Sequence, residues 1–179
     1  MQVVDLTLPL YSGMPVYPGD PEVSIEQIQT IEKEGWNMQR IQTNGHDGTH
    51  VNVPLHMVGG GKSLDDYLLA SFFGPACVYD AAVGIAKERG VLFRDQNIDA
   101  ALAEEIKKAR PLFVGLSSAF EFDVDIERDL LEAGIISYER LCNLEQLPPD
   151  FTFYGLPLNI KGGDGSPVRA FAICLTKEN

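Results

Sequence analysis

The stretch His46-Asp47-Gly48-Thr49-His50-Val51-Asn52-Val53-Pro54-Leu55-His56 contains every histidine of this 179-residue chain. Histidine is the commonest side-chain metal ligand and the usual general base near neutral pH. Three histidines within eleven positions indicate a chemical site. The glycine, the β-branched residues and the proline between them oppose a helix. The stretch is therefore predicted to be extended, with its chemistry on one face.

The extended geometry limits which of these residues can share an ion. In a strand the even-numbered positions of the stretch lie on one face. His46 and His50 would then be about 13 Å apart, too far for two bonds of about 2 Å to one ion. His50 and Asn52, about 6.6 Å apart along the strand, can converge. A site that includes His46 therefore requires a bend, for which Gly48 is suited.

The composition predicts one globular domain over residues 1–179, with 45% hydrophobic and 22% charged residues. No apolar run approaches the roughly 20 residues needed to span a bilayer, and the chain start lacks a secretory signal. The net charge of −12 argues against nucleic acid or anionic membrane as a partner. Three scattered cysteines without a CxxC pair favour a reducing cytoplasm. We therefore expect a cytoplasmic protein with a small-molecule substrate.

Strand patterns come first along the chain, and strands and helices alternate later. Strands are predicted over 3–8, 23–31, 38–43, 76–81, 112–116, 151–160 and 168–175. Helices are predicted over 63–69 with a capping box at Ser63, over 98–109 capped by Asn97, and over 125–133 closed by Gly134. One turn is predicted at 139–143 and a loop at 161–167. This mixture favours an α/β or α+β fold with a mixed sheet and flanking helices.

The histidine stretch resembles the signature of the cyclase-like metal-dependent hydrolases, which include bacterial kynurenine formamidase and isatin hydrolase. That signature is His-x-Gly-Thr-His-x-Asp-x-Pro-x-His. The chain matches it at His46, Gly48, Thr49, His50, Pro54 and His56. Residues 5–20, 130–141 and 157–170 resemble further regions of the family. The resemblance implies a swivelling β/β/α cyclase-like fold and hydrolysis of small amides or cyclic amides with divalent zinc or manganese.

Two positions depart from the family pattern. The signature Asp, a carboxylate ligand that bridges two metals, is Asn52 here, and a neutral amide oxygen is a poorer ligand for zinc or manganese. The second-site His of the family corresponds to Glu127. The resemblance thus implies a first metal site at His46, His50 and Asn52, and a second at Glu127 and Glu139.

These departures leave three outcomes open: a single weakly held ion, an oxygen-rich two-ion site, or loss of the ion and of hydrolysis. Glu127 also fits an exposed first turn of a helix, where acidic residues favour the helix dipole. Glu139 likewise fits a plain surface position.

The resemblance also implies the catalytic roles. A metal-activated water would attack the substrate carbonyl, with His56 as proton shuttle and Glu139 as the second catalytic residue. The alternative is a non-catalytic relative that binds a small molecule or assembles without hydrolysis. By analogy with the family, we expect a homo-oligomer, either a dimer or a tetramer.

Overall fold

A nine-stranded mixed sheet organises the computed structural model, which describes residues 1–175. Its strands and those of a second sheet are β1 (Gln2–Asp5), β2 (Ser24–Gln29), β3 (Met38–Gln42), β4 (His50–Asn52), β5 (Phe73–Val78), β6 (Gly90–Phe93), β7 (Phe113–Ser117), β8 (Ile136–Leu141), β9 (Asp150–Tyr154), β10 (Gly165–Pro167) and β11 (Phe171–Cys174). The α-helices are α1 (Ile31–Glu34), α2 (Ala100–Ala109) and α3 (Val124–Glu132). Short 3₁₀ turns cover Pro54–His56, Leu64–Asp66, Leu69–Phe72 and Leu144–Gln146. This architecture confirms the predicted α/β class with a mixed sheet.

Parallel pairing is confined to the centre of the main sheet. The strand order is β1-β11-β9-β5-β6-β7-β8-β4-β10, in which β5 to β8 are parallel and the outer strands pair antiparallel. Helix α2 connects β6 to β7, and α3 connects β7 to β8. Parallel neighbours need such crossover connections, whereas antiparallel neighbours do not. The histidine strand β4 therefore lies outside the parallel centre, between β8 and β10.

Two hydrophobic clusters lie on opposite faces of this sheet. On one face, Val91 and Val114 of the central strands pack against Leu102 and Ile106 of α2 and Leu130 of α3. The other cluster contains side chains from the antiparallel strands on both sides of the parallel centre. Its largest members are Phe72, Phe113, Tyr138 and Phe153. Alternate residues of a strand point to opposite faces, so the central strands supply both cores.

Strands β2 and β3 form a separate two-stranded ribbon. All five residues of β3 are exposed, including Met38 and Ile41. An isolated pair of strands is marginally stable in water. The ribbon thus exposes apolar side chains that the main sheet does not cover. No helix within residues 1–175 is long and apolar enough to cross a membrane.

The observed helix ends confirm some of the predicted capping residues and contradict another. The predicted cap Asn97 is wrong, because Asp99 accepts a hydrogen bond from the Leu102 backbone N–H and α2 begins at Ala100. The capping box at Ser63 is confirmed, but it opens only a 3₁₀ turn ending at Asp66. Gly134 ends the α3 region with a φ of +78°, as predicted.

Two predictions between residues 136 and 167 are wrong, and both concern strands beside β4. Instead of a turn at 139–143, β8 continues through Glu139 to Leu141, because its backbone pairs with both β7 and β4. The predicted loop at 161–167 contains β10, which pairs with β4 through Gly165 and Ser166. Both strands carry polar or glycine residues at their ladder positions, which conceal the strand pattern in the sequence.

Candidate metal centre

The pairing of β4 with its two neighbours assembles the site. His50 lies opposite Glu139 of β8, and Asn52 lies opposite Ser137 of β8 and Gly165 of β10. Opposite residues of antiparallel strands have Cβ atoms about 4.5–5.5 Å apart. The register therefore brings together side chains that are far apart in the chain.

The bend required before β4 is present at Gly48. Its φ is +60°, in the left-handed region that favours glycine, and a Cβ there would lie 2.9 Å from Leu10 Cδ2. The turn brings the ring centroids of His46 and His50 to 5.5 Å. The extended prediction holds only for β4 itself, because His46 lies in the turn and His56 ends a 3₁₀ turn.

Asn52 is completely buried and uses its whole amide group in hydrogen bonds. Its Nδ2 donates to Glu127 Oε1 at 2.7 Å and to Glu139 Oε1 at 2.9 Å. Its Oδ1 accepts from His46 Nδ1 at 2.7 Å. The reverse amide orientation would place Oδ1 against two carboxylate oxygens, so this assignment follows from the partners. Asn52 therefore connects the histidines to both glutamates.

Glu127 lies inside the protein rather than on an exposed helix face, so that alternative is wrong. The residue is 4% exposed, and its Oε1 also accepts from Ser137 Oγ at 2.7 Å. Burial raises the pKa of Glu127, and the nearby Glu139 carboxylate raises it further. Helix α3 thus contributes one carboxyl group to the inner side of the site, by which we mean the side of Asn52 that faces Glu127 and Ser137.

Glu139 is partly buried and is paired with a histidine, so its surface interpretation is also wrong. His50 Nε2 lies 3.2 Å from Glu139 Oε1, while His50 Nδ1 donates to the Gly48 carbonyl at 2.8 Å. Burial by itself would raise the pKa of Glu139. The hydrogen bond and charge of His50, together with the Asn52 hydrogen bond and the Arg140 charge, outweigh it, so the pKa is lowered. Glu139 therefore carries the negative charge of the glutamate pair more readily than Glu127 does.

A second group of side chains with metal-ligand atoms, His46, His56 and Asp164, lies on the opposite, outer side of Asn52. His46 Nε2 is 3.0 Å from Asp164 Oδ2, and His56 Nδ1 is 3.6 Å from the same oxygen. The His46 and His56 rings are 3.8 Å apart between centroids. Burial lowers the pKa of His56, and the nearby His46 lowers it further, while Asp164 opposes both. Burial raises the pKa of Asp164, but its contact with His46 Nε2 outweighs this effect together with the other nearby groups, so the pKa is lowered.

Asp164 is the site residue that the sequence analysis missed. It lies in the glycine-rich segment before β10, which predicted only a turn. Its carbonyl accepts from the Val53 backbone N–H at 3.1 Å, which fixes the segment beside β4. A Cβ on the adjacent Gly165 would overlap the His46 ring. The only signal in the sequence was an acidic residue between glycines, which is too common to identify a site.

The histidines line a cavity of about 380 Å³. Apolar walls come from Tyr17, Met57, Phe122 and Val124. The polar lining includes His46, His50, His56, Glu127, Glu139 and Arg140. This size and mixture are typical of small-molecule sites, where a few polar groups orient a ligand between apolar walls.

The donor set of this cavity fits a divalent ion, but not with every residue that the family pattern implies. His46, His56 and Asp164 each offer one ligand atom, and these atoms lie within 4.8 Å of one another. His50 and Glu139 offer two more. Histidine nitrogen and carboxylate oxygen are among the ligands that zinc uses in proteins. Asn52 fits poorly, because its Nδ2 has no lone pair and its Oδ1 is already bonded to His46.

Comparisons with known proteins identify the family of the chain. Residues 4–121 match the sequence family described as "Putative cyclase". Kynurenine formamidase from Salinibacter ruber is 29% identical over 205 residues, which cover 95% of this chain and 96% of that protein. A solved structure described as a potential metal-dependent hydrolase with cyclase activity has a TM-score of 0.76 at 26% identity and covers 96% of each chain.

Isatin hydrolase A from Labrenzia aggregata shares the fold, with a TM-score of 0.75 at 24% identity. The superposition covers 96% of this chain and 93% of that one. The family match spans more than half of the chain and includes the whole histidine stretch. We conclude that this chain belongs to the cyclase family.

Proposed function

We propose that this protein is a metal-dependent hydrolase that cleaves a carbon–nitrogen bond in a small amide or cyclic amide. One observation carries the proposal: three histidines and Glu139 line one cavity, and the Asp164 carboxylate contacts His46 and His56 behind it. Kynurenine formamidase, the name of the relatives that match over nearly the whole chain, supports amide hydrolysis as the reaction class.

His46, His50, Asp164 and Glu139 have the ligand atoms to hold a zinc or manganese ion, with His56 beside them. When bound, such an ion polarises a substrate carbonyl and lowers the pKa of a water molecule. His46 contacts Asp164, and His50 contacts Glu139, which makes two separate donor pairs. The site would hold one ion if one pair binds metal and two ions if both pairs do.

Proton transfer would fall to the side chains that line the cavity. His56 lies at the end of its 3₁₀ turn with Nδ1 toward Asp164, and we propose it as the shuttle to the leaving nitrogen. Glu139 is the second candidate, because its carboxylate lines the same cavity and is held by His50. Both side chains are oriented by partners, which catalytic acids and bases require.

The cavity walls indicate the substrate class. Tyr17, Met57 and Phe122 provide apolar and aromatic surface beside the polar centre. Aromatic side chains favour contact with flat rings. We therefore propose a small, ring-bearing amide, such as an aryl formamide or a cyclic imide, as the substrate.

One observation favours a second function, namely ligand binding without hydrolysis. Asn52 Nδ2 and Ser137 Oγ both donate to Glu127 Oε1, so the side chains on the inner side of the site hold one another through hydrogen bonds. A fully bonded polar network can persist as structure alone. In this alternative the cavity would bind a small molecule and the histidines would only orient it.

The test is to purify the protein without chelator, measure bound metal and screen aryl formamides and cyclic imides with added Mn²⁺ or Zn²⁺. The proposal expects bound metal and turnover that a chelator removes. His50→Gln is expected to lower turnover at least about a hundredfold, whereas Glu105→Gln, which changes an exposed carboxylate of helix α2, serves as the control. Metal uptake without turnover supports the binding alternative, and absence of both overturns metal-dependent hydrolysis.

A further inference from the structure

Asn52 cannot act as a ligand without giving up its present contacts. Both hydrogens of its Nδ2 point to carboxylate oxygens, one of Glu127 and one of Glu139. An ion between these carboxylates would have to displace an amide group that already neutralises part of their repulsion. Asn52 and Ser137 are themselves completely buried, although Glu127 and Glu139 line the cavity. The place for an ion is therefore on the other side of Asn52.

The Oδ1 atom of Asn52 determines which nitrogen of His46 faces outward. Because Oδ1 can only accept, His46 Nδ1 must donate, and the lone pair of a neutral His46 lies on Nε2. That nitrogen faces Asp164 Oδ2 at 3.0 Å. Two acceptors at this distance need a proton or a cation between them. A histidine fixed through Nδ1–H, with Nε2 free, is also the usual arrangement of a metal ligand.

The outer donors have the spacing of ligands on one ion. Two ligand atoms on a tetrahedral ion with bonds of about 2.1 Å are about 3.4 Å apart. His46 Nε2 and His56 Nδ1 lie 3.0 Å and 3.6 Å from Asp164 Oδ2, on either side of that value. The backbone bond between Val53 and Asp164 holds this carboxylate next to β4. The three donor atoms lie within 4.8 Å of one another, so small shifts of the two histidine rings would bring all three onto one ion.

We propose that Asp164 supplies the carboxylate that position 52 lacks, so that the ion binds His46 Nε2, His56 Nδ1 and Asp164, with Asn52 as the residue that positions His46. This inference rests on the metal-dependent function proposed above, and it replaces the ligand set and the His56 proton shuttle that were given there. A histidine that binds through Nδ1 keeps its proton on Nε2. Glu139 then becomes the proton-accepting group in place of His56.

Two isosteric variants separate this ligand set from the one that the family pattern implies. Asp164→Asn and Glu127→Gln each remove one carboxylate charge and keep the side-chain shape. Chelator-stripped protein is titrated with Co²⁺, followed by visible absorption, and with Zn²⁺, followed by calorimetry. We expect Asp164→Asn to weaken binding of both ions at least about tenfold and to change the Co²⁺ spectrum. Glu127→Gln should stay within about threefold of the unmodified protein.

Asp164→Glu provides the rescue, because it restores a carboxylate with one more methylene and should recover part of the affinity. Thermal unfolding of each stripped protein checks that the variants are folded. If the unmodified protein binds Co²⁺ and hydrolyses an amide but Asp164→Asn binds equally well, the ligand set is wrong and the proposed function stands. If Glu127→Gln weakens metal binding more than Asp164→Asn does, the ligand set is likewise wrong and the proposed function stands. If the unmodified protein binds neither ion, both proposals are overturned.

Discussion

At position 52 an amide stands where the family signature has a carboxylate, and the exchange changes what its neighbours can do. An aspartate would place a third negative group against Glu127 and Glu139, whereas the Asn52 Nδ2 donates to both. Buried like charges are costly unless an ion or a proton compensates them. The Asn52 amide and the Glu127 carboxyl group are therefore complementary in this structure, because the amide donates where a carboxylate would repel.

Asn52→Asp should destabilise the stripped protein and tighten metal binding. The variant loses two donated hydrogen bonds and adds a charge at a buried position, so we expect a Tm lower by at least about 5 °C without metal. Added Zn²⁺ should restore more stability than in the unmodified protein, because the ion compensates three carboxylates. Differential scanning calorimetry with and without Zn²⁺ measures both effects.

The double variant Asn52→Asp with Glu127→His is the control for this prediction, since it restores the family residue types at both positions. Without metal it should be more stable than Asn52→Asp alone, because one carboxylate has been removed. An Asn52→Asp protein that is as stable as the unmodified one without metal would show that the amide contacts contribute nothing.

Glu127→Gln should make the stripped protein less sensitive to pH. Because the pKa of Glu127 is raised in the folded protein, its contribution to stability is complete below its ordinary value of 4.5 and is lost as pH rises through the folded-state pKa. The variant cannot ionise there, so its stability relative to the unmodified protein should increase from pH 5 to pH 8. Urea unfolding at several pH values tests this, and parallel curves would contradict it.

At the residue scale, the sequence indicated the site through its histidines but not through Asp164. His46 and His56 stood out because histidine is rare in this chain and clustered. Asp164 is separated from His46 by 118 positions and is one of many acidic residues. Its role depends on the pairing of β10 with β4, which no local pattern encodes.

At the scale of elements, the short strands beside the site were the hardest to predict. The central strand β7 has a continuous apolar run, which is typical of strands buried on both faces. By contrast β10 has three residues, one of them glycine and one proline. Such strands exist because their neighbours provide hydrogen-bond partners, and this tertiary contribution overrides weak local propensity.

The turn before β4 can be tested at Gly48. Gly48→Ala should cost about 1–2 kcal/mol from the left-handed backbone alone, with a further loss from the Leu10 contact. The displaced turn should also weaken metal binding by moving His46. Denaturant unfolding and Zn²⁺ calorimetry provide the two measurements.

Gly134→Ala is the matched control, because Gly134 has a φ of +78° and open space around its Cβ position. It should show the backbone cost without any change in metal affinity. Equal metal affinity in both variants would mean that the Gly48 turn does not position His46.

At the scale of the whole molecule, the ribbon of β2 and β3 is the surface that we expect to mediate self-association. Trp36 and Ile41 are 55% and 59% exposed, and the ribbon lies outside the main sheet. Exposed apolar patches of this kind mark interaction surfaces. We expect a homo-oligomer in light scattering coupled to size exclusion, with Ile41→Glu shifting the mass toward the monomer.

Val83→Glu is the control for the oligomer, since Val83 is 80% exposed and lies far from the ribbon in sequence. It should leave the oligomer intact while adding the same charge. A single-chain mass for the unmodified protein across a range of concentrations would contradict the prediction.

The fold class was predictable from alternating strands and helices and from the family signature, but the order of strands was not. Strand β4 pairs with β8 and β10, which follow it by more than 80 residues. Local periodicity identifies elements, whereas the choice among distant partners depends on packing over the whole chain.

The position of β4 between β8 and β10 also affects how the protein reaches its active form. A slip of one residue in either ladder would turn His50 and Asn52 to the opposite face of the sheet. A molecule with a misaligned strand would therefore lack the metal site entirely, instead of having a site of lower affinity. The fraction of refolded molecules that bind an ion would equal the fraction in which β4 has the correct register. Ion uptake would therefore measure how accurately the protein refolds.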